Sequence, residues 1–491
     1  MKFFLTAISL LCFCQISLAQ ITPKNITVAN TPPDAVQKLI DEIDKMNNDP
    51  VVETAAWGIY VYNISGGTEV FNYNGVVCLT PASTMKVLTA GAGFGILGTG
   101  YKFTTYIQYD GKLDSLTGIL DGNIYIKGSG DPTLGNECPD SLLSFFFHNW
   151  AKAIYNKGIR KINGYIIADD EIFDDEYVAP YWNLGDISTT YGAGVSGLNI
   201  NQNTYSIVFK PGMNEGDSTT VVGFYPKPTD VTFINEVITD APGSDAGVYV
   251  DCPLHAQHCY LRGSIPAGSS KIAVPTAMMD PATLCAVELW KELQVYRVEV
   301  EKGATTIRRL REQKTYVPLS RKTILEINSS SLYNIVKKML HYSINLYAES
   351  ILKTLGSRKS GGGSFASGSR SIQGYWAARG VKTKGMRVMD GSGLSRANCF
   401  SPQQMIQALS AITKSGYYKS ILDGLPVVYS TKYVKVKAKS GTMSGVKCYS
   451  GYVFTKTGKT LAFSIMFNNF SGSFGDIKKR FDRLFMLMGD I

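Results

Sequence analysis

Histidine is scarce in this chain, which has 4 among 491 residues, and none of the four stands in a Gly-x-Ser-x-Gly turn. A hydrolase built on a Ser-His-Asp triad is therefore poorly supported. Beyond the N-terminus no hydrophobic run is long enough to predict a transmembrane helix. The 49 Lys and Arg residues exceed the 40 Asp and Glu residues, yet no block of like charges occurs. That spread disfavours nucleic acid as a partner.

The N-terminus has the pattern of an export signal. Lys2 precedes an apolar run from Phe3 to Leu18, and the small residues around Ala19 suit a signal peptidase. The run is too short for a comfortable membrane span. We therefore predict a signal peptide over residues 1–19 and an exported protein of the periplasm or cell envelope. Peripheral contact with a membrane stays open, as does the oligomeric state.

Removal of that signal would leave seven cysteines, an odd number that predicts at least one free thiol. Cys252 and Cys259 are the best candidates for a local disulfide. With His255 and His258 between them they also resemble a zinc site, but such ligands would be crowded and the compartment oxidising. We therefore predict a disulfide or an unlinked loop at this point, no metal, and no other cofactor.

Periodicity in the sequence predicts a split domain. Helical spacing of apolar residues marks residues 30–49, 82–97, 280–293, 330–355 and 476–488, whereas alternating, strand-like runs fill much of residues 101–262 and 433–468. A Gly/Ser-rich stretch at 356–371 predicts a loop, at least in part. The simplest architecture is an α+β domain whose halves are residues 30–102 and 273–491. N- and C-terminal strands would complete one antiparallel sheet flanked by helices, with a β-rich insertion between the halves.

The segment Ser83-Thr84-Met85-Lys86 offers a serine nucleophile with a lysine as its base. Ser83 falls in the first turn of the predicted helix, where free backbone N–H groups favour a developing oxyanion. Lys86 lies on the same helix face, among apolar residues that would lower its pKa. Alone, this short pattern is more often a helix cap with a solvated lysine.

Two motifs far downstream make the pattern specific: Ser343-Ile344-Asn345 and Lys439-Ser440-Gly441-Thr442. The three motifs in this order are typical of β-lactamases and penicillin-binding proteins. Ser343 could relay a proton to the leaving group. Asn345 could bind a substrate amide and hold the lysine of the first motif.

The third motif suits the end of a peptide. A strand at Lys439 could pair with an extended substrate by main-chain hydrogen bonds. Gly441 would let that substrate approach closely. The charge of Lys439 and the hydroxyls of Ser440 and Thr442 would bind a terminal carboxylate.

With these motifs, and with Tyr125–Leu134 and Asp390–Arg396, the chain resembles the D-alanyl-D-alanine carboxypeptidase/endopeptidase family, the class C low-molecular-mass penicillin-binding proteins of the penicillin-binding protein 4 type. The resemblance implies a penicillin-binding/serine β-lactamase-like fold. It also implies two extra domains in the insertion: a second domain of residues 103–202 and 264–272, and a third of residues 203–263 nested within it.

The resemblance further implies peptidoglycan peptides as substrates and β-lactams as covalent inhibitors. It assigns acylation to Ser83 and the activation of Ser83 to Lys86. Ser343, Asn345 and Lys439 would form the proton and substrate network, and the backbone N–H groups of Ser83 and Thr442 would form the oxyanion hole. A stem-peptide side chain would be recognised by Asp186, Tyr191 and Arg396. Ser440 and Ile344 depart from the usual Thr and Asp. A β-lactamase or esterase of the same fold and a non-catalytic wall-binding protein remain the alternatives.

Two further features have structural interpretations. Asp390-Gly391-Ser392-Gly393 resembles a metal or phosphate loop but lacks a following lysine or spaced carboxylates, so we predict a turn that positions Arg396. Glu349 could be named as a deacylating base. Its place on a predicted helix favours a structural role.

Overall fold

The computed structural model describes residues 34–136, 143–229, 231–252, 258–268, 270–360 and 362–491. The predicted signal peptide, residues 1–19, lies outside them. The described chain begins with helix α1 (Asp34–Asn47), strands β1 (Ala56–Asn63) and β2 (Thr68–Tyr73), and helix α2 (Met85–Leu97). A single 3₁₀ turn, Ala82–Thr84, precedes α2. Ser83 therefore stands just before the α-helix instead of within its first turn.

The insertion follows as a series of short elements. They are β3 (Thr104–Tyr109), β4 (Lys112–Leu113), β5 (Ile119–Asp121), β6 (Ile124–Lys127), α3 (Leu143–Asn156), β7 (Lys161–Ile162), β8 (Ile166–Asp169), α4 (Leu184–Ile187), β9 (Thr204–Lys210), β10 (Thr220–Tyr225), β11 (Thr232–Asn235), β12 (Ile238–Asp240), β13 (Tyr249–Asp251), β14 (His258–Arg262), β15 (Ser264–Pro266), β16 (Ile272–Ala277), α5 (Pro281–Val295), β17 (Glu299–Val300), β18 (Ala304–Thr306), α6 (Ile307–Glu312) and β19 (Lys322–Asn328).

Strand pairing divides the insertion into two groups. A five-stranded sheet has the order β18-β8-β6-β3-β19, and a four-stranded sheet has the order β17-β7-β5-β4. Strands β9 to β16 form three further small sheets among themselves. Strands within residues 299–328 pair with strands of the insertion. We therefore propose that the second half of the split α+β domain, called the catalytic half below, begins near Ser329 and not at residue 273. On the same ground we propose that the nested group extends from about residue 204 to residue 277.

The C-terminal part returns to longer elements. They are α7 (Leu332–Tyr342), α8 (Asn345–Ser360), α9 (Phe365–Ala377), α10 (Pro402–Thr413), α11 (Tyr418–Gly424), β20 (Val427–Ser430), β21 (Lys435–Met443), β22 (Val446–Phe454), β23 (Thr460–Asn468) and α12 (Phe474–Gly489). The Gly/Ser-rich stretch was predicted as a loop at least in part; residues 362–364 lie outside helices, and most of the remainder is helical. Its small residues allow α8 and α9 to pack closely, since a Cβ on Gly368 would collide with Leu352.

One antiparallel sheet joins the two ends of the chain, as the sequence predicts. Its order is β2-β1-β23-β22-β21-β20, and β1 pairs with β23 so that Ile59 lies opposite Ile465. Helices α1 and α12 pack on one face, and α10 contacts β1 and β23. Helix α2 is buried along Met85–Phe94 in the hydrophobic core that also contains Tyr452 of β22 and Met466 of β23. This central position brings the start of α2 against β21.

Cys252 and Cys259 form a disulfide, which confirms the predicted pair. Their sulfurs are thus not free for a metal, and His255 lies outside the described residues. Within the described ranges Cys78, Cys285, Cys399 and Cys448 are free thiols. No helix in this part of the chain is long and apolar enough to cross a bilayer.

Candidate active site

Ser83 opens onto a cavity of about 440 Å³. The cavity is lined by residues from the catalytic half and from the insertion: Ser83, Asn183, Asp186, Tyr191, Ser343, Asn345, Gly393, Leu394, Arg396, Thr442, Met443 and Ser444. All three sequence motifs reach this one place. The 3₁₀ turn presents the Ser83 side chain half-exposed, while the Lys86 side chain behind it is fully buried.

Lys86 makes three hydrogen bonds. Its Nζ donates to Ser83 Oγ over 2.9 Å, to Asn345 Oδ1 over 2.6 Å and to the carbonyl oxygen of Ser392 over 2.9 Å. Burial lowers the pKa of Lys86 to about 7, against the opposing effect of the buried carboxylates Glu349 and Asp390. A neutral amine at this position has a lone pair that can accept the proton of the Ser83 hydroxyl.

The second motif lies at the junction of two helices. Ser343 ends α7 with φ +60° and ψ +36°, a left-handed conformation that turns the chain directly into α8. Such a conformation is unfavourable for a residue other than glycine, by on the order of 1 kcal/mol. It places Ser343 in the cavity wall and Asn345 at the start of α8. The Asn345 side chain connects Lys86 with Tyr191. Its Oδ1 accepts from Lys86 Nζ, and its Nδ2 donates to the carbonyl oxygen of Tyr191 over 2.7 Å.

The third motif lies on β21, beside Ser83. Lys439 is 2% exposed, and burial, followed by the nearby charge of Lys86, lowers its pKa. Its Nζ donates to the carbonyl oxygen of Ser440 over 2.7 Å. Thr442 lines the cavity and its hydroxyl accepts from Lys447 over 2.6 Å. The two catalytic-motif lysines are thus both poorly solvated.

Gly441 has a structural role that the sequence did not suggest. A Cβ there would lie 2.6 Å from the carbonyl oxygen of Pro81 and 3.0 Å from the backbone nitrogen of Ser83. Real Cβ atoms do not approach a backbone oxygen so closely. The missing side chain therefore lets β21 contact the turn that carries Ser83, and the predicted close approach of a substrate at Gly441 stays a prediction.

The three residues predicted to recognise a side chain lie together on the rim. Asp186 and Tyr191 come from the insertion, where the Tyr191 hydroxyl donates to Asp186 Oδ1 over 3.0 Å. Asn183 donates to the other oxygen of Asp186 over 3.1 Å. Arg396 lies on the catalytic half, and its Nη2 donates to the carbonyl oxygen of Ser444 over 2.8 Å. A carboxylate and a guanidinium thus line the same cavity.

The turn Asp390–Gly393 contributes more than sequence reasoning assigned to it. The carbonyl oxygen of Ser392 accepts from Lys86. Asp390 holds the turn through the backbone N–H groups of Gly393 and Ser395 at 2.7 and 2.6 Å, and Gly393 has φ +86°. Gly393 has no space for a Cβ, which would collide with the carbonyl oxygen of Ala82. This turn therefore packs against the nucleophile's own segment.

Glu349 fixes the same turn from α8. It is fully buried, and its Oε2 and Oε1 accept the backbone N–H groups of Gly391 and Ser392 over 2.7 and 2.8 Å. Burial raises the pKa of Glu349, while the two hydrogen bonds and the Lys86 charge oppose that rise. Glu349 follows Asn345 by four residues, so the two side chains share a helix face. That spacing is the signal from which its place near the site could have been inferred.

Comparisons with known proteins identify the family of the chain. The family model described as D-Ala-D-Ala carboxypeptidase 3 (S13) family matches residues 39–484. A D-alanyl-D-alanine carboxypeptidase from Actinomadura sp. (strain R39) is 28% identical in an alignment 461 residues long, which covers 89% of this chain and 82% of the relative. The D-alanyl-D-alanine carboxypeptidase DacB of Haemophilus influenzae is 24% identical in an alignment 441 residues long, which covers 87% of this chain and 88% of the relative.

A solved structure has the same fold. The crystal structure of penicillin binding protein 4 (dacB) from Haemophilus influenzae superposes with a TM-score of 0.78 and 21% identity, covering 93% of this chain and 99% of that one. A second structure of that protein, complexed with a β-lactam, gives a TM-score of 0.73 over the same shares of the two chains. The family match spans most of the chain, so this protein belongs to the D-Ala-D-Ala carboxypeptidase 3 (S13) family of serine carboxypeptidases.

Proposed function

We propose that the chain is an exported peptidase that cleaves peptidoglycan stem peptides after D-Ala through an acyl-enzyme on Ser83, and that it also opens D-Ala-linked cross-links as an endopeptidase. The observation that carries the proposal is the hydrogen bond of 2.9 Å between Ser83 Oγ and Lys86 Nζ. Burial lowers the pKa of Lys86 to about 7. A base with a pKa close to the working pH is effective in proton transfer.

In the proposed reaction, neutral Lys86 accepts the Ser83 proton as Oγ attacks the carbonyl carbon of the penultimate D-Ala. The backbone N–H groups of Ser83 and Thr442 would stabilise the resulting oxyanion. The close approach of Gly441 to Ser83 supports that pairing. Ser343 would relay the proton to the leaving amine, and water would then hydrolyse the ester.

Substrate binding would use the strand and the rim. Pairing between β20 and β21 ends at Lys437, so the following residues of β21 have an edge available to an extended peptide. Lys439, Ser440 and Thr442 would bind the terminal carboxylate in carboxypeptidase reactions. In the endopeptidase reaction Ser83 would attack the D-Ala carbonyl carbon of the cross-link, and the leaving group would be the side-chain amine of a neighbouring stem peptide. Asp186, Tyr191 and Arg396 would contact the ammonium and carboxylate of a stem-peptide side chain.

The proposal extends to β-lactams, whose ring carbonyl would acylate Ser83 in place of the peptide. A mixture of purified protein and fluorescent penicillin tests this, with Ser83→Ala as the control. Wild type should be labelled and should release D-Ala from a D-Ala-D-Ala stem peptide, and it should cleave a D-Ala-linked dimer. Ser83→Ala should do none of these. Wild type that neither labels nor releases D-Ala would contradict the mechanism, and rapid penicillin turnover would identify a β-lactamase instead.

A further inference from the structure

Helix α8 contacts three different parts of the molecule along one face. Asn345, Glu349 and Lys353 follow one another at intervals of four residues, so they lie on the same side of the helix. Asn345 contacts Lys86 and Tyr191, and Glu349 holds the turn at Gly391. Lys353 lies about 12 Å along the helix from Asn345. The first two contacts belong to the candidate site, whereas the third does not.

Lys353 is a buried cation that reaches into the insertion. Its side chain is 0% exposed, and its Nζ donates to Asp174 Oδ1 over 2.7 Å and to the carbonyl oxygen of Glu176 over 2.6 Å. The ammonium also lies 4.7 Å from the centre of the Phe365 ring. A buried charge is tolerated in a protein only when it is paired and hydrogen-bonded, so this lysine has a defined partner segment.

That partner segment leads back to the cavity. The carbonyl oxygen of Tyr177, next to Glu176, accepts the backbone N–H of Val195 over 2.8 Å. Val195 follows the 3₁₀ turn Thr190–Gly192, which contains Tyr191. The insertion is therefore attached to α8 by hydrogen bonds at Lys353, at Tyr347, whose hydroxyl accepts from Asn136 over 3.0 Å, and at the Asn345–Tyr191 contact. Along the insertion, the segment that carries Asp186 lies between the Lys353 contact and Tyr191.

We propose that Lys353 is a positioning residue that holds the insertion's wall of the cavity against α8. The inference rests on the proposed peptidase function. Removal of the ammonium would leave Ser83, Lys86 and Lys439 in place, because none of them contacts Lys353 or Asp174. It would loosen the wall that Asp186 and Tyr191 form, although the hydrogen bonds of Tyr191 with Asn345 and of Trp182 with Asp390 remain. Binding of the stem peptide should then weaken, whereas acylation by a small penicillin should not change.

The test compares wild type, Lys353→Met and Lys161→Met. Methionine has a similar volume and no charge, and replacement of a buried ion pair by an apolar group is often neutral for stability. Asp174 is 38% exposed and can be hydrated, and its backbone N–H keeps its bond to Gly363. Lys161 is the matched control, since it pairs with Glu299 on the surface of the insertion. Active enzyme is counted by penicillin titration.

In Lys353→Met the KM for a stem peptide whose third residue carries an ammonium and a carboxylate should rise at least about fivefold. Its kcat and its penicillin acylation rate should stay within about twofold of wild type, as should all values for Lys161→Met. Equal loss of both reactions, or an unchanged KM, overturns the inference. Should Lys353→Met fail to fold, Asp174→Asn decides: a smaller rise in KM alone supports the inference, and an unchanged KM overturns it. Absence of D-Ala release by wild type would overturn the proposed function and this inference together.

Discussion

At the scale of single residues, the proposed mechanism requires Lys86 to be neutral before Ser83 reacts. The pKa of Lys86 is about 7, and only the neutral form can take the Ser83 proton. The rate of acylation by penicillin should therefore increase as pH rises through about 7 and level off above it. Stopped-flow or quench measurements from about pH 5 to about pH 9 would check this. A rate that is flat across neutrality, or that still rises steeply above about pH 9, would contradict it.

Glu349→Gln should move that inflection. Both oxygens of Glu349 accept backbone N–H groups, an arrangement that suits the ionised form, and its charge raises the pKa of Lys86. Without that charge the Lys86 pKa falls further, so the inflection should shift to lower pH. One N–H of the turn would face an amide NH₂ and lose its partner, which costs about 1–3 kcal/mol of unfolding free energy.

A pH–rate series and a urea titration measure the two effects of Glu349→Gln. Glu299→Gln is the control, because it removes an equally negative side chain from an exposed pair with Lys161. That control should alter neither the inflection nor, by more than about 0.5 kcal/mol, the stability. An inflection that stays in place or moves to higher pH would show that Glu349 does not act on Lys86.

The sequence predicted those candidate residues that belong to short, ordered motifs, and the structure brings the three motifs to one cavity. Ser83, Lys86, Ser343, Asn345 and Lys439 have side chains whose chemistry can be recognised from their type and spacing. The sequence could not show that the carbonyl oxygens of Ser392 and Tyr191 belong to the site. Every residue has a carbonyl oxygen, and only the fold determines which of them lie near Lys86 and Asn345. Residue type carries no information about such backbone groups.

At the scale of elements, the contact between β21 and the 3₁₀ turn before α2 sets how close the strand lies to Ser83. Gly441→Ala would place a Cβ 2.6 Å from the carbonyl oxygen of Pro81, and the strand would have to move away. A displacement near 1 Å can slow a reaction by about 100-fold, so penicillin acylation should fall by that order. Gly100→Ala is the control, because open space surrounds that glycine. Acylation of Gly441→Ala at the wild-type rate would show that the contact does not matter.

Element prediction worked where hydrophobic periodicity was strong and failed where packing overrode composition. Helix α1 appears where helical spacing predicted it. The stretch after Leu355 was predicted as a loop from its glycines and serines. In the structure these small residues serve the close crossing of α8 and α9, a tertiary effect that composition does not express.

At the scale of the whole molecule, the sequence predicted a single sheet built from both ends of the chain, and the pairing of β1 with β23 confirms it. The extent of the insertion was harder to predict. Strand β19 ends at Asn328, yet it pairs with β3, more than two hundred residues earlier. Pairing over such a distance depends on the topology of the fold, and a local pattern of residues does not report it.

The shared cavity leads to a last prediction, on Asp186→Asn. Asp186 comes from the insertion and Arg396 from the catalytic half, and both line the cavity that contains Ser83. Loss of the carboxylate charge should lower kcat/KM about tenfold for a stem peptide with a free side-chain ammonium, since a hydrogen bond to a charged group is worth about 1.5–3 kcal/mol. A peptide with that amine acetylated should lose little, and penicillin should acylate Ser83 at the wild-type rate. An equal loss for both peptides would mean that Asp186 shapes the wall of the cavity without contacting the substrate's charge.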